Sequence, residues 1–493
     1  MKYNQLTCSK ISIILISIVF ISAGLMCFTG CSGRSLKEIK NLPPLPQATE
    51  TMPAHYTFNK NDKQNSISAE TKSPWWETFG CRELNELIEK ALEGNFTIKE
   101  ASARLRQAKA SENSGKAALF PSITYSASAS RQERDESADS NNYFSIGPAA
   151  SYEIDLWGNI NAAIQEAEHK TMATGFDLES AAMSVAAEVA GNWFSLISVR
   201  EELALIRSQV EINKMILDLL ELRFRNAMST VLDILQQREV LARTLAKIPS
   251  VELRERNLIN SIALLTGKAP VEITSVETID LKNMPGDFPP LPDDGLPSEL
   301  LFQRPDIRAA YMRFVSSRWN QLQVMNERLP SLNLTGSLLV QHTTLDNILK
   351  QWVLSLAAHV AGDIFDGGAH KASLEIAEAV VDQSLINYRE TVYTAIMEVE
   401  NAVASEKSRI KWIELMEAEL EAAKLAMEEA KNRYINGLDP FLPFVTEQIN
   451  VQNLELSLLK QQVLLFQDRV TLHRALGGNW TKTRYSFEME QIK

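Results

Sequence analysis

Basic charge, cysteine and histidine are all in short supply in this chain. Lys and Arg number 50 against 62 Asp and Glu, a formal net charge of −12, and no Lys/Arg cluster stands out against that sign. A protein that neutralises phosphates needs a basic face, so no nucleic-acid partner is expected. The six histidines are scattered, and the closest strand-and-helix pair, His359 and His370, has no Cys or clustered carboxylate beside it. A metal centre is therefore not expected. Compact catalytic signatures are missing as well: there is no GxGxxG after a strand, no GxxxxGK[ST], no GxSxG and no HExxH. Gly267-Lys268 is followed by Ala269 and lacks the upstream glycine of a phosphate loop, which leaves it as a helix terminus. An enzyme is a poor reading, and no cofactor is expected.

Long apolar runs are rare too. The strongest, Ile11 to Met26, is flanked by Lys2 and Lys10 and is shorter than the roughly 20 residues that span a bilayer, so it reads as a cleavable leader. Gly30 before Cys31 is the small residue that a lipoprotein signal peptidase requires, and Phe28 to Cys31 resembles a lipobox with Phe28 where Leu is usual. Cys27, preceded by Met26, fits worse. Residues 1–30 are thus expected to be a lipoprotein signal peptide, with Cys31 carrying a palmitate-type acyl anchor. Ser32 follows, where an Asp would retain a bacterial lipoprotein at the inner membrane. Of the four cysteines, Cys8 and Cys27 leave with the leader and Cys31 is acylated, so Cys81 is the one remaining thiol. No intrachain disulfide can form, and burial alone must hold the fold. Cys81 itself reads as a small buried apolar residue.

Proline is absent over two long stretches, from Pro148 to Pro249 and from Pro330 to Pro440. Nothing there forbids helices from about Ala162 to Asn226 and from about Ala369 to Asn436. At ~1.5 Å per residue each is a rod of roughly 100 Å, several times a typical globular helix. In the second rod Ala377, Val381, Leu385, Tyr388, Val392, Ile396, Val399 and Val403 recur at about 3.67 residues per turn, so the apolar stripe runs nearly parallel to the axis. Each rod returns as a shorter helix, Thr230 to Leu265 and Phe444 to Leu476. Gly437 can supply a left-handed cap at the second turn, whereas Ala227 is less comfortable at the first.

Ahead of each rod the pattern switches to period two, the mark of a half-buried strand. Phe144, Ile146, Pro148, Ala150, Tyr152, Ile154 and Leu156 alternate with small or polar residues, and a weaker strand precedes them at Ile123, Tyr125, Ala127 and Ala129. The second copy repeats this with Leu332, Leu334, Gly336, Leu338 and Val340, then Trp352, Leu354, Leu356, Ala358, Val360 and Ile364. One face meets something oily and the other does not.

The two halves are copies. Phe120-Pro121-Ser122 returns as Leu329-Pro330-Ser331, Asp155-Leu156-Trp157-Gly158 as Asp363-Ile364-Phe365-Asp366-Gly367, and Arg223-Phe224-Arg225-Asn226-Ala227 as Arg433-Tyr434-Ile435-Asn436-Gly437, at offsets of about 210 residues. The expected organisation is a tether at 31–73, a first repeat at 74–284, a proline-rich linker at 285–297, a second repeat at 298–480 and a tail at 481–493. The first repeat has strands at about 121–131 and 143–156 and its long helix at 162–226; the second has strands at about 330–341 and 352–365 and its long helix at 369–436. Four strands with one oily face cannot close a barrel, since about eight are needed, and lipid tolerates no open sheet edge. Several chains must pool their strands.

On these residues the chain resembles a known family. Trp75-Trp76-Glu77-Thr78-Phe79, Leu296-Pro297-Ser298-Glu299-Leu300-Leu301 with Arg304-Pro305-Asp306-Ile307-Arg308, Asp155 to Gly158, Arg433 to Gly437, and Arg474 to Trp480 look like the NodT or OprM-like lipoprotein branch of the TolC-like outer membrane efflux proteins. The resemblance runs from about Trp75 to Trp480; Cys81 stands where the family often has Asp. It implies a mainly α fold with membrane β: a homotrimer whose pooled strands form a 12-stranded outer-membrane barrel continued by a periplasmic α-helical, coiled-coil barrel. It further implies a passive exit duct served by a periplasmic adaptor and an inner-membrane pump. Alternatives left open are a duct for protein secretion or for metal efflux, and, more remotely, a structural coiled-coil lipoprotein. In that branch a Leu and, four residues later, an Asp constrict the periplasmic end; aligned on Arg433-Tyr434, these fall on Leu442 and Thr446, with acids at Glu447 and Asp439 instead. Glu447 is expected to turn toward a neighbouring helix and pair with a base there.

Overall fold

The computed structural model describes residues 74–134, 137–270, 303–344, 351–477 and 480–481. The leader, Cys31, the tether, the 285–297 linker and the tail beyond residue 481 lie outside them. After a short 3-10 helix at Trp75–Phe79, the elements are α1 (Arg82–Gly94), α2 (Phe96–Lys116), β1 (Ser122–Arg134), β2 (Ser137–Ile154), α3 (Asn159–Arg225) and α4 (Val231–Leu265). The second half follows with α5 (Pro305–Asn326), β3 (Ser331–His342), β4 (Trp352–Ala361), α6 (Ala369–Ile435) and α7 (Phe441–Leu476). Helices α3 and α6 each contain 67 residues, and their returns α4 and α7 contain 35 and 36. The duplication therefore holds almost residue for residue in the helices. Pro249 does not break α4, because it sits on the exposed side, where water can take the carbonyl that its missing N–H frees.

Two compact units emerge. The first contains 110–169 and 314–385. Its four strands form one antiparallel sheet in the order β1-β2-β3-β4. Tyr125 is opposite Pro148 and Ala127 opposite Ile146; Ile146 is opposite Val340 and Tyr152 opposite Leu334; Leu334 is opposite Ala358 and Gly336 opposite Leu356. Opposed residues share a face, so the apolar sets of all four strands fall on one side. That side is bare: Tyr125 is 87% exposed, Leu356 79% and Val360 72%. The other side carries Ser122, Thr124, Ser128, Ser145, Ser151, Thr335, Ser337 and Ser355, with Ser128 Oγ and Ser145 Oγ 2.8 Å apart. Pairing outruns the apolar alternation, with Arg131 opposite Asn142 and Arg134 opposite Ser137 beyond an irregularity, because the backbone ladder needs no apolar side chain. Gly147 lets β3 approach, since a Cβ there would lie 2.0 Å from the Leu338 carbonyl oxygen.

Both long helices begin on an aspartate, but not on the pair that the sequence aligns. Asp155 accepts from the backbone N–H of Ile160 (3.1 Å) and Asn161 (2.9 Å). In the second copy Asp366 does this, accepting from Gly368 (2.9 Å) and His370 (2.7 Å). The extra residues between β4 and α6 move the cap from Asp363 to Asp366, where the carboxylate again meets the free N–H groups of the first turn.

The second unit holds the described parts of 53–109, 170–313 and 386–493. Trp75, Trp76 and Phe79 sink into a core with Phe194, Phe466 and Trp480, and Cys81 packs against its edge. Gly94 and Gly267 meet backbone to backbone: a Cβ on either would lie 2.3 or 2.2 Å from a carbonyl oxygen of the other segment. Asn95 Nδ2 donates to the Leu265 carbonyl at 2.9 Å, closing the end of α4. Charge is buried here in pairs. Arg469 and Glu406, both 1% exposed, form a two-pronged bridge at 2.9 and 2.7 Å. Arg304 reaches Asp306, Glu398 and the Ala475 carbonyl, each at 2.7–2.8 Å at its nearest, and so anchors the end of α7.

Candidate functional site

The two helical hairpins end in turns of one design. Ala227 N–H donates to the Phe224 carbonyl (2.9 Å) and Met228 N–H to that of Arg223 (2.8 Å); Gly437 and Leu438 repeat this with Tyr434 (3.1 Å) and Arg433 (2.9 Å). Ala227 has φ 61° and Gly437 φ 72°. Among the described residues Ala227 is the one non-glycine with positive φ, so the first copy keeps the turn at a steric cost. Beyond it Thr230 and Asp233 form a reciprocal capping box at the start of α4. The equivalent position before α7 is Pro440, without a side-chain cap; Pro443, in the first turn, lacks an N–H that would have no helical partner anyway.

The turns lie against each other. Leu220, Ile234 and Val240 from the first hairpin pack with Tyr434, Phe441, Phe444 and Val445 from the second. Tyr434 donates to Asp233 Oδ2 at 3.4 Å, and the Arg223 guanidinium lies over its ring, 5.0 Å from the centroid. Burial, then the Asp233 charge, pushes the Tyr434 phenol up. Farther along the same helices is a layer of buried amides. Asn213 Oδ1 accepts from Gln448 and from Gln452 (3.2 Å), Asn213 Nδ2 donates to Thr244 Oγ1 (3.0 Å), and Gln237 Nε2 donates to the Asn213 carbonyl (3.1 Å). Gln209 joins through the Gln452 carbonyl at 3.1 Å. Sequence reading missed this layer: the side chains look like ordinary surface polars, and only the long-range packing of α3, α4 and α7 brings them together.

The residues singled out from the sequence fall on the open side of the second turn. Leu442 is 55% exposed, while its neighbours Phe441 and Phe444 are buried. Thr446, one turn on, is also exposed and donates to the Leu442 carbonyl at 2.8 Å, so the two share a face. Glu447 is half-buried and accepts from Asn450 Nδ2 at 3.5 Å, a partner on its own helix rather than the expected base on a neighbouring one. Asp439 is held by Arg433, at 2.5 Å from Nε, and the guanidinium draws its carboxyl below the usual range. Arg433, read from the sequence only as a turn landmark, is thus the base that pairs at this end. Within the chain, Leu442 and Thr446 present an apolar and a hydroxyl side chain to whatever space the turn faces.

A sheet with one bare apolar face, together with long paired helices, defines a membrane-inserted protein of the outer-membrane channel class. The chain belongs to the outer membrane efflux protein family, whose model matches residues 87–268 and 296–478, one match on each repeat. It is an outer-membrane protein, and its function is efflux. It is 27% identical over 423 residues to the pyoverdine export outer membrane protein OpmQ of Pseudomonas aeruginosa, covering 83% of this chain and 88% of that one. It is 26% identical over 474 residues to the solvent efflux pump outer membrane protein SrpC of Pseudomonas putida, covering 93% and 97%. The solved outer-membrane channel OprN matches with a TM-score of 0.78 at 26% identity, over 87% of this chain and 97% of that one.

Proposed function

We propose that three copies of this chain close one barrel and serve as the passive exit duct of a tripartite export system, fed by a periplasmic adaptor and an inner-membrane pump. One observation carries the reading: a four-stranded sheet whose apolar residues fall on one face in all four strands, with β1 and β4 left as open edges. Lipid leaves such edges no partner except another copy, and the chain alone falls short of the roughly eight strands that closure needs. The polar, hydroxyl-rich face then lines water. Cargo is not encoded in this fold, since relatives of similar identity are named for pyoverdine and for solvents; the pump selects it. Cys31 is the lipidated residue, and Leu442, with Thr446, Glu447 and Asp439 near it, narrows the periplasmic opening.

The test is conductance with assembly. Detergent-extracted protein should have the mass of three chains and form pores in planar bilayers, with Leu442→Ala raising single-channel conductance while assembly is kept. A folded monomer in bilayers overturns the barrel. Unchanged conductance together with lower stability assigns Leu442 to packing. Acyl labelling should vanish in Cys31→Ser; labelling that instead depends on Cys27 overturns that assignment.

A further inference from the structure

Among the residues whose side chains are described, the polar face of the sheet is almost free of charge, and what charge it has lies in one row. Glu153 on β2 is directly opposite Asn333 on β3, and Asn333 is directly opposite His359 on β4. Opposed residues share a face, so a carboxylate, an amide and an imidazole stand side by side across three strands. Among residues of this face whose side chains are described, Glu153 is the one carboxylate and His359 the one imidazole, and there is no Lys or Arg. The row directly inward, Ser151–Thr335–Ala357, is small and uncharged. Glu153 and His359 are both exposed. Nearby acids outside the strands do not share the row: Asp155 and Asp366 are engaged as helix caps, and Asp363 lies beyond the end of β4.

We infer that the Glu153–Asn333–His359 row is a charge-selective belt in the wall of the conduit, which favours cationic over anionic solutes. Repeated by every copy, it forms a collar near the strand ends that lead into the helices. This rests on the reading of the polar face as a water-filled lumen. The effect is local and salt-dependent: a unit charge at the diagonal cross-strand distance of about 7–8 Å in water shifts a monovalent ion's concentration by about 2.5-fold, hence the cation-to-anion ratio by about sixfold before screening. With a Debye length of about 10 Å at 0.1 M salt and 30 Å at 0.01 M, the belt's influence extends well beyond its own row only in dilute medium.

The test places a reporter one row inward. Thr335→Cys, in a Cys81→Ala background, is labelled in the assembled protein with a cationic and an anionic methanethiosulfonate, and the ratio of the two rates is measured. In about 10 mM salt, Glu153→Gln should lower the cation-to-anion ratio by about threefold or more, and high salt should bring the unmutated row's ratio toward that of Glu153→Gln. If both reagents label Thr335→Cys with a ratio indifferent to Glu153→Gln and to salt, the belt is refuted and the lumen stands. If neither reagent reaches Thr335→Cys, the lumen reading fails and the belt with it. The salt series needs no substitution in the row, so a poorly assembling Glu153→Gln does not decide the matter.

Discussion

Removing Glu406 alone should cost far more than the loss of a charge from the surface of the helical unit. The carboxylate and Arg469 are each 1% exposed and meet through two contacts, at 2.9 and 2.7 Å. Glu406→Gln keeps the shape but removes the carboxylate charge that the Arg469 guanidinium meets in a water-poor interior, and breaking a buried pair in this way costs about 3–5 kcal/mol. The comparison that isolates burial is Glu86→Gln, which breaks a bridge of similar length, Arg82 to Glu86 at 2.8 Å, with side chains 88% and 51% exposed; no measurable loss is expected there. Guanidinium unfolding of the detergent-solubilised protein, followed by far-ultraviolet circular dichroism, reads both. A third variant separates charge burial from packing: Glu406→Leu with Arg469→Met, two apolar groups of similar bulk, should recover most of what Glu406→Gln loses. A Glu406→Gln loss below about 1 kcal/mol, or a double variant no better than the single, would refute the claim that loss of the buried ion pair is the cause.

Ala227→Gly should stabilise the protein by about 0.5–1 kcal/mol, the relief of a left-handed alanine less the extra freedom of glycine in the unfolded chain; a denaturant midpoint that falls instead would mean the methyl group packs usefully. His473 stacks on Trp75 at 5.3 Å, and burial, then the Arg469 charge, lowers its pKa from 6.5 to about 3. The unfolded chain therefore binds a proton that the fold excludes, so the stability due to the neutral ring is complete above pH 6.5 and is lost as pH falls toward 3. His473→Phe keeps the stack and should flatten the acid side of the stability curve; parallel curves for the two proteins would show that another group drives acid unfolding.

Much of the fold could be read in the sequence because its signals are local and doubled. Alternation from Phe144 to Leu156 and from Trp352 to Val360 marks the oily face, and the register carries it across all four strands. The left-handed strain at Ala227 was legible because its copy has Gly437. What depended on geometry between distant segments was not. The cap passed from Asp363 to Asp366 because the helix start, not the alignment, decides which carboxylate meets free N–H groups. Arg433 and Asp439 find each other across a turn, where sequence alone offers Asp439 as a free acid. The row from Glu153 to His359 could be assembled only once the strand order was known.

The amide layer around Asn213 has a consequence for the environment in which such a protein lives. Asn213, Gln237, Thr244, Gln448 and Gln452 bond to one another without charge, and none gains or loses a proton in ordinary media; Gln209, at the edge of the layer, also donates to a carboxylate, Glu455 Oε2 at 3.3 Å. The hydrogen bonds centred on Asn213 therefore hold the hairpins in the same alignment whether the surroundings are acidic or alkaline, dilute or briny, conditions that loosen surface ion pairs. A cell-envelope protein has no control over the medium that reaches it, and a fastening indifferent to that medium lets its helices keep their alignment while the charges on their exteriors respond.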